Sequence, residues 1–302
     1  MAAIRVGTRG SPLAIWQSEQ VENHLRERGH DVDRIVLKTR AENFPDRPLT
    51  NLGVGIFTKE LDDALLRGDI DLAVHSAKDI PSTLPEGLSF AAALERESPF
   101  DALISADGSS RLADLPQGAR IGTGSPRRRA QLLAFRDDFD VVPLRGNVDT
   151  RLRKIETESL AGTILSHAGL IRLGRTEVIS EVLNAEAMIP APGQGIVVVA
   201  CREDDASARE NLAALDHGDT RCALDAERAF LRELQGGCQI PAGCFAKLDG
   251  GEQLEVRGIL STPDGVTMYR ESATGPIDER VDVGRAIARR ILDAGGTKLL
   301  GR

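Results

Sequence analysis

The chain has 302 residues, 41% hydrophobic and 28% charged, with a formal net charge of −8. That length exceeds one ordinary core and suits two or three domains, and the balance is that of a globular chain, not a disordered one. No apolar run reaches the ~18 residues a membrane-spanning helix needs, and an acidic chain with 3% aromatic residues is a poor nucleic-acid partner.

Met1 to Val6 runs straight into a strand-like pattern with no apolar leader, so the expected location is cytoplasmic. Ile4 to Gly7 reads as a first strand. Ser11 then makes an N-cap with Pro12 at the first helical position, and Leu13, Trp16, Val21 and Leu25 give that helix an apolar stripe as far as a stop at Gly29. A strand over Arg34 to Lys38, a helix over Thr58 to Leu66 and a strand over Ile70 to His75 follow. This alternation predicts a parallel sheet with helices on both faces.

Near residue 101 the pattern restarts. Strands are expected at Asp101 to Ser105 and Arg120 to Gly122, a helix from Pro126, a strand at Val141 to Leu144, a helix at Val148 to Glu156, and a strand at Gly162 to Leu165. Val6-Gly7-Thr8-Arg9-Gly10-Ser11-Pro12 is echoed by Ile121-Gly122-Thr123-Gly124-Ser125-Pro126: strand, glycine turn, Ser-Pro helix start. Ile196 to Ala200 is a continuous apolar run, as in a fully buried strand. After about residue 218 come a helix (Arg221 to Leu234), strands through Tyr269 and a closing helix from Val281. Hinges are expected near 96–100, 190–195 and 214–219.

Three features carry chemistry. Arginines gather at strand-to-helix junctions: Arg9 before the first Ser-Pro start, Arg127, Arg128 and Arg129 opening the second, Arg145 ending a strand and Arg151 one turn into the next helix. Helix N-termini attract anions and guanidinium forks add bidentate geometry, with Ser11, Thr123 and Ser125 as hydroxyl donors at the same starts. Of 38 basic residues only six are lysine, a skew that genomic base composition also produces. Asp79, beside Lys78, lies just past a strand's carboxyl end, where open α/β sheets bind ligands, although a cap before Pro81 gives the same placement. Cys238 sits between Gly236-Gly237 and Pro241-Ala242-Gly243, a loop loose enough for another molecule to approach the sulfur; a simple turn has the same composition. The other thiols, Cys201, Cys222 and Cys244, show no CxxC spacing, so no disulfide is expected, and the five scattered histidines point to no metal site.

In order, the runs at Thr8–Ala14, Gly55–Glu60, Ala73–Pro81, Gly122–Arg128, Arg145–Arg151, Pro192–Gly195 and the Cys238 loop resemble the porphobilinogen deaminases (hydroxymethylbilane synthases) from about residue 4 to the C-terminus. The resemblance implies an α/β fold: two similar doubly wound lobes facing a cleft, periplasmic-binding-protein-like, plus a smaller C-terminal α+β domain. The domains would be 1–95 with 196–213, then 101–190, then 218–302. It implies a transferase that joins four porphobilinogen units head to tail with release of ammonia, giving hydroxymethylbilane for haem and other tetrapyrroles. The cofactor would be a dipyrromethane held covalently by Cys238. Lys78, Ser125, Arg127, Arg128, Arg145 and Arg151 would bind the cofactor, and Arg9, Ser11, Arg172 and Gln194 the substrate. Asp79 would be the catalytic carboxylate, and Arg129 falls outside the pattern as a surface residue. A monomer and a hand-over of product to uroporphyrinogen-III synthase are implied as well. Val54 stands where the family usually has lysine, which removes one expected loop contact, although Lys59 remains nearby. The stretch Ala41 to Pro48 also departs from the family run, so no functional residue is carried across it, and the sequence leaves open whether the loop near 41–58 is a lid. The rival reading is a non-catalytic two-lobed anion- or solute-binding module, which would need neither Cys238 nor Asp79.

Overall fold

A computed structural model describes residues 3–39, 55, 57–235 and 240–300. The loop near 41–58, whose role as a lid the sequence leaves open, lies almost wholly outside the described residues, and Val54 and Cys238 lie outside them.

The first sheet contains β1 (Ile4–Arg9), β2 (Val32–Leu37), β3 (Leu72–Ser76), β4 (Leu88–Ala93) and a late strand, β10 (Val197–Arg202), in the order β2-β1-β3-β10-β4. Its helices are α1 (Pro12–Glu27), α2 (Lys59–Arg67) and α6 (Ala206–Leu212). Period-two alternation sorts the strands' side chains between two cores. Val6, Leu72, Val74, Val197 and Val199 pack with Val21 and Leu25 of α1 and Leu212 of α6. Ala73, Leu88 and Ala200 pack with Leu61, Ala64 and Leu65 of α2 on the other face.

The second sheet repeats this plan. It contains β5 (Asp101–Ser105), β6 (Arg120–Gly122), β7 (Asp140–Val142), β8 (Gly162–Ser166) and β9 (Glu181–Leu183), in the order β7-β6-β8-β5-β9. α3 (Pro126–Phe135) covers one face through Leu132 on Leu103, Ile121 and Ile164. α4 (Val148–Thr157) and α5 (His167–Arg172) cover the other through Ile155 and Leu170 on Ala102, Ile104 and Leu165.

Neither sheet is parallel throughout, which corrects the expectation from the βα alternation. β1 runs parallel to β2 and β3, but β10 is antiparallel to β3 and to β4. β6 runs parallel to β7 and β8, but β5 is antiparallel to β8 and β9. In each sheet the antiparallel strand sits at the same place in the order, and a connector, not a crossover helix, delivers it. A buried apolar run encodes burial on two faces and carries no direction. β7 also stops at Val142, so Arg145 lies in the loop before α4 and does not end the strand.

The C-terminal part has α7 (Gly218–Glu233), an antiparallel sheet of β11 (Ala242–Leu248), β12 (Gln253–Ser261) and β13 (Met268–Pro276), and α8 (Arg280–Asp293). Phe230 of α7 and Ile287, Ala288 and Ile291 of α8 pack on Cys244, Val256 and Leu260. By contacts the described chain forms two compact units, residues 1–97 with 196–222, and 98–195 with 223–302.

Gly284 of α8 lies where a Cβ would collide with the backbone oxygen of Ala226 in α7. Gly284→Ala must push the two helices apart, and overpacking of this kind costs about 1–3 kcal/mol. The expected result is a melting temperature several degrees lower. Gly218→Ala, at a glycine with nothing within 4 Å, should melt as the parent does.

Candidate active site

Two junctions of the same construction carry most of the expected residues. At the first, β1 ends on Arg9 and Ser11 takes extended backbone, its hydroxyl accepting from Ala14 N at 3.3 Å as Pro12 opens α1. Thr8 Oγ1 donates to Ala14 O at 3.1 Å and ties the strand to the first helical turn. β3 ends at Ser76, and Ala77–Asp79 form one tight 3₁₀ turn, with Ala77 N donating to Ile196 O at 3.0 Å. Because β1 and β3 are parallel neighbours, Arg9 and Asp79 emerge side by side at the carboxyl edge of the sheet.

Arg9, Ser11 and Asp79 line one open cavity. Arg9 Nη1 is 3.8 Å from Asp79 Oδ2, and the guanidinium lies 4.6 Å from the centre of the Phe57 ring. The ion pair is long and partly exposed, so it orients the carboxylate at little energetic commitment to either partner. Lys78 is half-buried in the turn beside Asp79.

The same cavity holds residues that sequence reasoning did not single out. Gln17 Nε2 donates to Ser76 Oγ at 2.9 Å. His75 is buried and its Nε2 has no hydrogen-bond partner among the described residues. Burial, with Arg9 nearby, pushes its pKa down from 6.5 to about 4. His75 is therefore neutral near pH 7, and Arg9 supplies the positive charge among the residues lining the cavity. Since the unfolded histidine binds protons more readily, this group costs the fold stability as pH falls from about 6.5 towards 4. The only advance signal was its place, one residue before the end of the strand that leads to Asp79.

At the second junction Ser125 caps α3, its hydroxyl accepting from Arg128 N at 3.4 Å, with Pro126 at the helix start. Arg127 and Arg128 are almost wholly buried and share the carboxylate of Asp101, the first residue of β5. Arg127 Nη1 is 2.8 Å from Asp101 Oδ2, and Arg128 Nη2 is 2.7 Å from Asp101 Oδ1. Gln194 is also fully buried, and its Nε2 donates to Asp101 Oδ1 at 2.9 Å and to Pro99 O at 2.8 Å. Arg129 is exposed, and its Nη1 donates to Val141 O.

Asn147 caps α4 through Thr150 N at 2.9 Å, placing Arg145 just before that helix and Arg151 in its first turn, both half-buried. Arg172 ends α5 and donates from Nη2 to Gly195 O at 2.6 Å. The geometry thus groups Arg9, Ser11, Lys78 and Asp79 in the first unit, and Ser125, Arg127, Arg128 and Gln194 in the second.

A carboxylate-bearing molecule fits the donors of the second junction. Arg127 and Arg128 carry two positive charges against the one negative charge of Asp101, and Arg127 Nε is buried with no hydrogen-bond partner among the described residues. Among the described residues, no group of histidine, cysteine, aspartate and glutamate is arranged to hold a metal ion, and no helix is long and apolar enough to cross a membrane.

Residues 4–210 match the family described as porphobilinogen deaminase, dipyromethane cofactor binding domain, and residues 221–293 match the porphobilinogen deaminase C-terminal domain. The chain belongs to the porphobilinogen deaminase family. The porphobilinogen deaminase of Syntrophomonas wolfei is 46% identical over 303 residues, covering 99% of this chain and 98% of the relative. That of Pelobacter propionicus is 44% identical over 300 residues, covering 98% and 96%. Among solved structures, the methionine-binding protein MetQ is similar at 15% identity with a TM-score of 0.45, over 72% of this chain and 91% of that one. Full-length family membership makes this chain a transferase of tetrapyrrole synthesis, with porphobilinogen as substrate and dipyrromethane as cofactor. A passive solute-binding module is thereby set aside.

Proposed function

We propose that Asp79 is the catalytic carboxylate of a head-to-tail polymerisation of porphobilinogen, and that Cys238 carries the dipyrromethane. The observation that supports this most is the Arg9–Asp79 pair in an open cavity at the carboxyl edge of the first sheet. Each addition breaks the bond to an aminomethyl nitrogen, releases ammonia and leaves positive charge on a pyrrole. A carboxylate fixed beside that pyrrole stabilises the charge as it develops. Arg9, Ser11 and Arg172 bind the carboxylates of the incoming unit, and Gln194 acts through Asp101. Lys78, Ser125, Arg127, Arg128, Arg145 and Arg151 hold the cofactor, whose free pyrrole end supplies the carbon to which substrate units add.

The reading also takes three domains (1–95 with 196–213, 101–190, 218–302), a cytoplasmic monomer, and delivery of hydroxymethylbilane to uroporphyrinogen-III synthase. The test is the intact mass of the purified chain before and after incubation with porphobilinogen. A mass increment of two pyrrole units, mapped by peptide analysis to residues 236–239, is expected. An unmodified thiol at Cys238 in protein that turns over porphobilinogen would refute the attachment.

A further inference from the structure

We propose that Asp101 is the positioning residue that aims Arg127 at one ligand carboxylate, with Arg128 and Gln194 holding Asp101 in place. This rests on the cofactor-binding reading above. Arg128 directs Nε and Nη2 to Asp101 Oδ1, at 3.1 and 2.7 Å, and Nη1 to Ile164 O at 2.9 Å. Every nitrogen of that guanidinium therefore has a protein acceptor. Gln194 adds a further donor to the same Asp101 oxygen. Arg127 is held only through Nη1, to Asp101 Oδ2 at 2.8 Å and Ile189 O at 2.8 Å, while its buried Nε has no partner among the described residues. Of the two arginines, Arg127 is the one with a buried nitrogen that has no acceptor among the described residues.

The charges agree with this division. Two buried guanidiniums without a counter-charge would be strongly destabilising, and one carboxylate offsets one of them. A net single positive charge stays at the capped start of α3, matching one carboxylate of a pyrrole unit. Burial alone would raise the pKa of Asp101, but Arg127 and Arg128 hold it well below the usual carboxylate range, so Asp101 keeps its negative charge near neutral pH.

The same cluster is joined to the strand that leaves the cysteine loop. Gly243 of β11 lies against the backbone oxygens of Ile189 and Pro190, and Cys244 N donates to Pro190 O at 3.0 Å. Glu227, fully buried on α7, accepts from Gly193 N at 2.6 Å and from Ala246 N at 2.8 Å. The segment 189–195 thus touches both β11 and the Asp101 cluster, and a shift at Asp101 would pass to β11.

The experiment compares Asp101→Asn with Leu115→Ala, a core truncation outside the cluster, in the full chain. Adduct content is read by intact mass and normalised to the fraction folded, with melting temperature measured in parallel. Asparagine cannot hold two guanidiniums as carboxylate does, and losing a charge-assisted hydrogen bond is worth tenfold or more. The expected result is at least tenfold slower cofactor loading per folded molecule in Asp101→Asn, with loading at the parent rate in Leu115→Ala. Equal loading in the two at matched folded fraction would overturn the proposal. Should Asp101→Asn fail to fold, Asp101→Glu keeps the charge and displaces it by one methylene. It should load several-fold more slowly per folded molecule than the parent, and a parental loading rate would overturn the proposal. Absence of any adduct from the unsubstituted protein would instead bring down the Cys238 attachment, and this inference with it.

Discussion

Cys238→Ser should give a folded chain with no covalent adduct and turnover reduced at least a hundredfold. Both flanks of the cysteine loop are anchored independently of the sulfur. Leu234, just after α7, is fully buried in the C-terminal core, and Ala242 opens β11 in the same core. A change of one atom on the loop leaves those anchors in place. Serine is a much weaker nucleophile than cysteine near neutral pH, so the thioether has no effective replacement. Among the remaining thiols, Cys201 and Cys244 are fully buried, and burial pushes the Cys201 thiol pKa up, which reduces its thiolate. Intact mass and porphobilinogen turnover of the four single serine variants check this. An adduct retained by Cys238→Ser and lost from Cys244→Ser would reverse the assignment.

Asp79→Asn should lower kcat by two orders of magnitude or more while changing KM much less. Arg9 and Ser11 remain in the cavity to bind carboxylates, so docking survives. What is lost is a negative charge facing the cation left as ammonia departs, an interaction that strengthens on the way to the transition state. Asp79→Glu keeps the charge and moves it by about one methylene, and should be more active than the asparagine variant. Steady-state kinetics on variants shown to carry the cofactor measure the ordering. Parental kcat in Asp79→Asn would reduce Asp79 to a turn residue.

The junctions were legible because their chemistry is local. Ser11-Pro12 and Ser125-Pro126 fix caps and helix starts within a few residues, and both are found where expected. The placement of Asp79 beyond β3 follows equally from a strand's end, although that strand runs to Ser76, one residue past the expected His75. Strand direction was not legible, since Val197 to Cys201 is buried on both faces whichever way it runs. Leu88–Ala93, rich in alanine, offers no strand signal of its own and is a strand because β10 pairs with it. Asp101 was visible only as the start of a strand. Its partners Arg127, Arg128 and Gln194 are 26, 27 and 93 residues away, and nothing local announces a shared carboxylate.

The late arrival of β10 bears on how the chain is made. β10 lies between β3 and β4, yet it is encoded more than a hundred residues after either. A chain emerging from the ribosome has therefore exposed all of β5 to β9 before its first sheet gains the strand between β3 and β4. Until then β4 has no neighbour in the sheet, and the edge of β3 is open to other chains. Pairing over such sequence distances is slow because loop closure precedes its reward. Early arrest of synthesis should then yield an incomplete first unit, prone to associate, even though the residues around Arg9 and Asp79 have all been made.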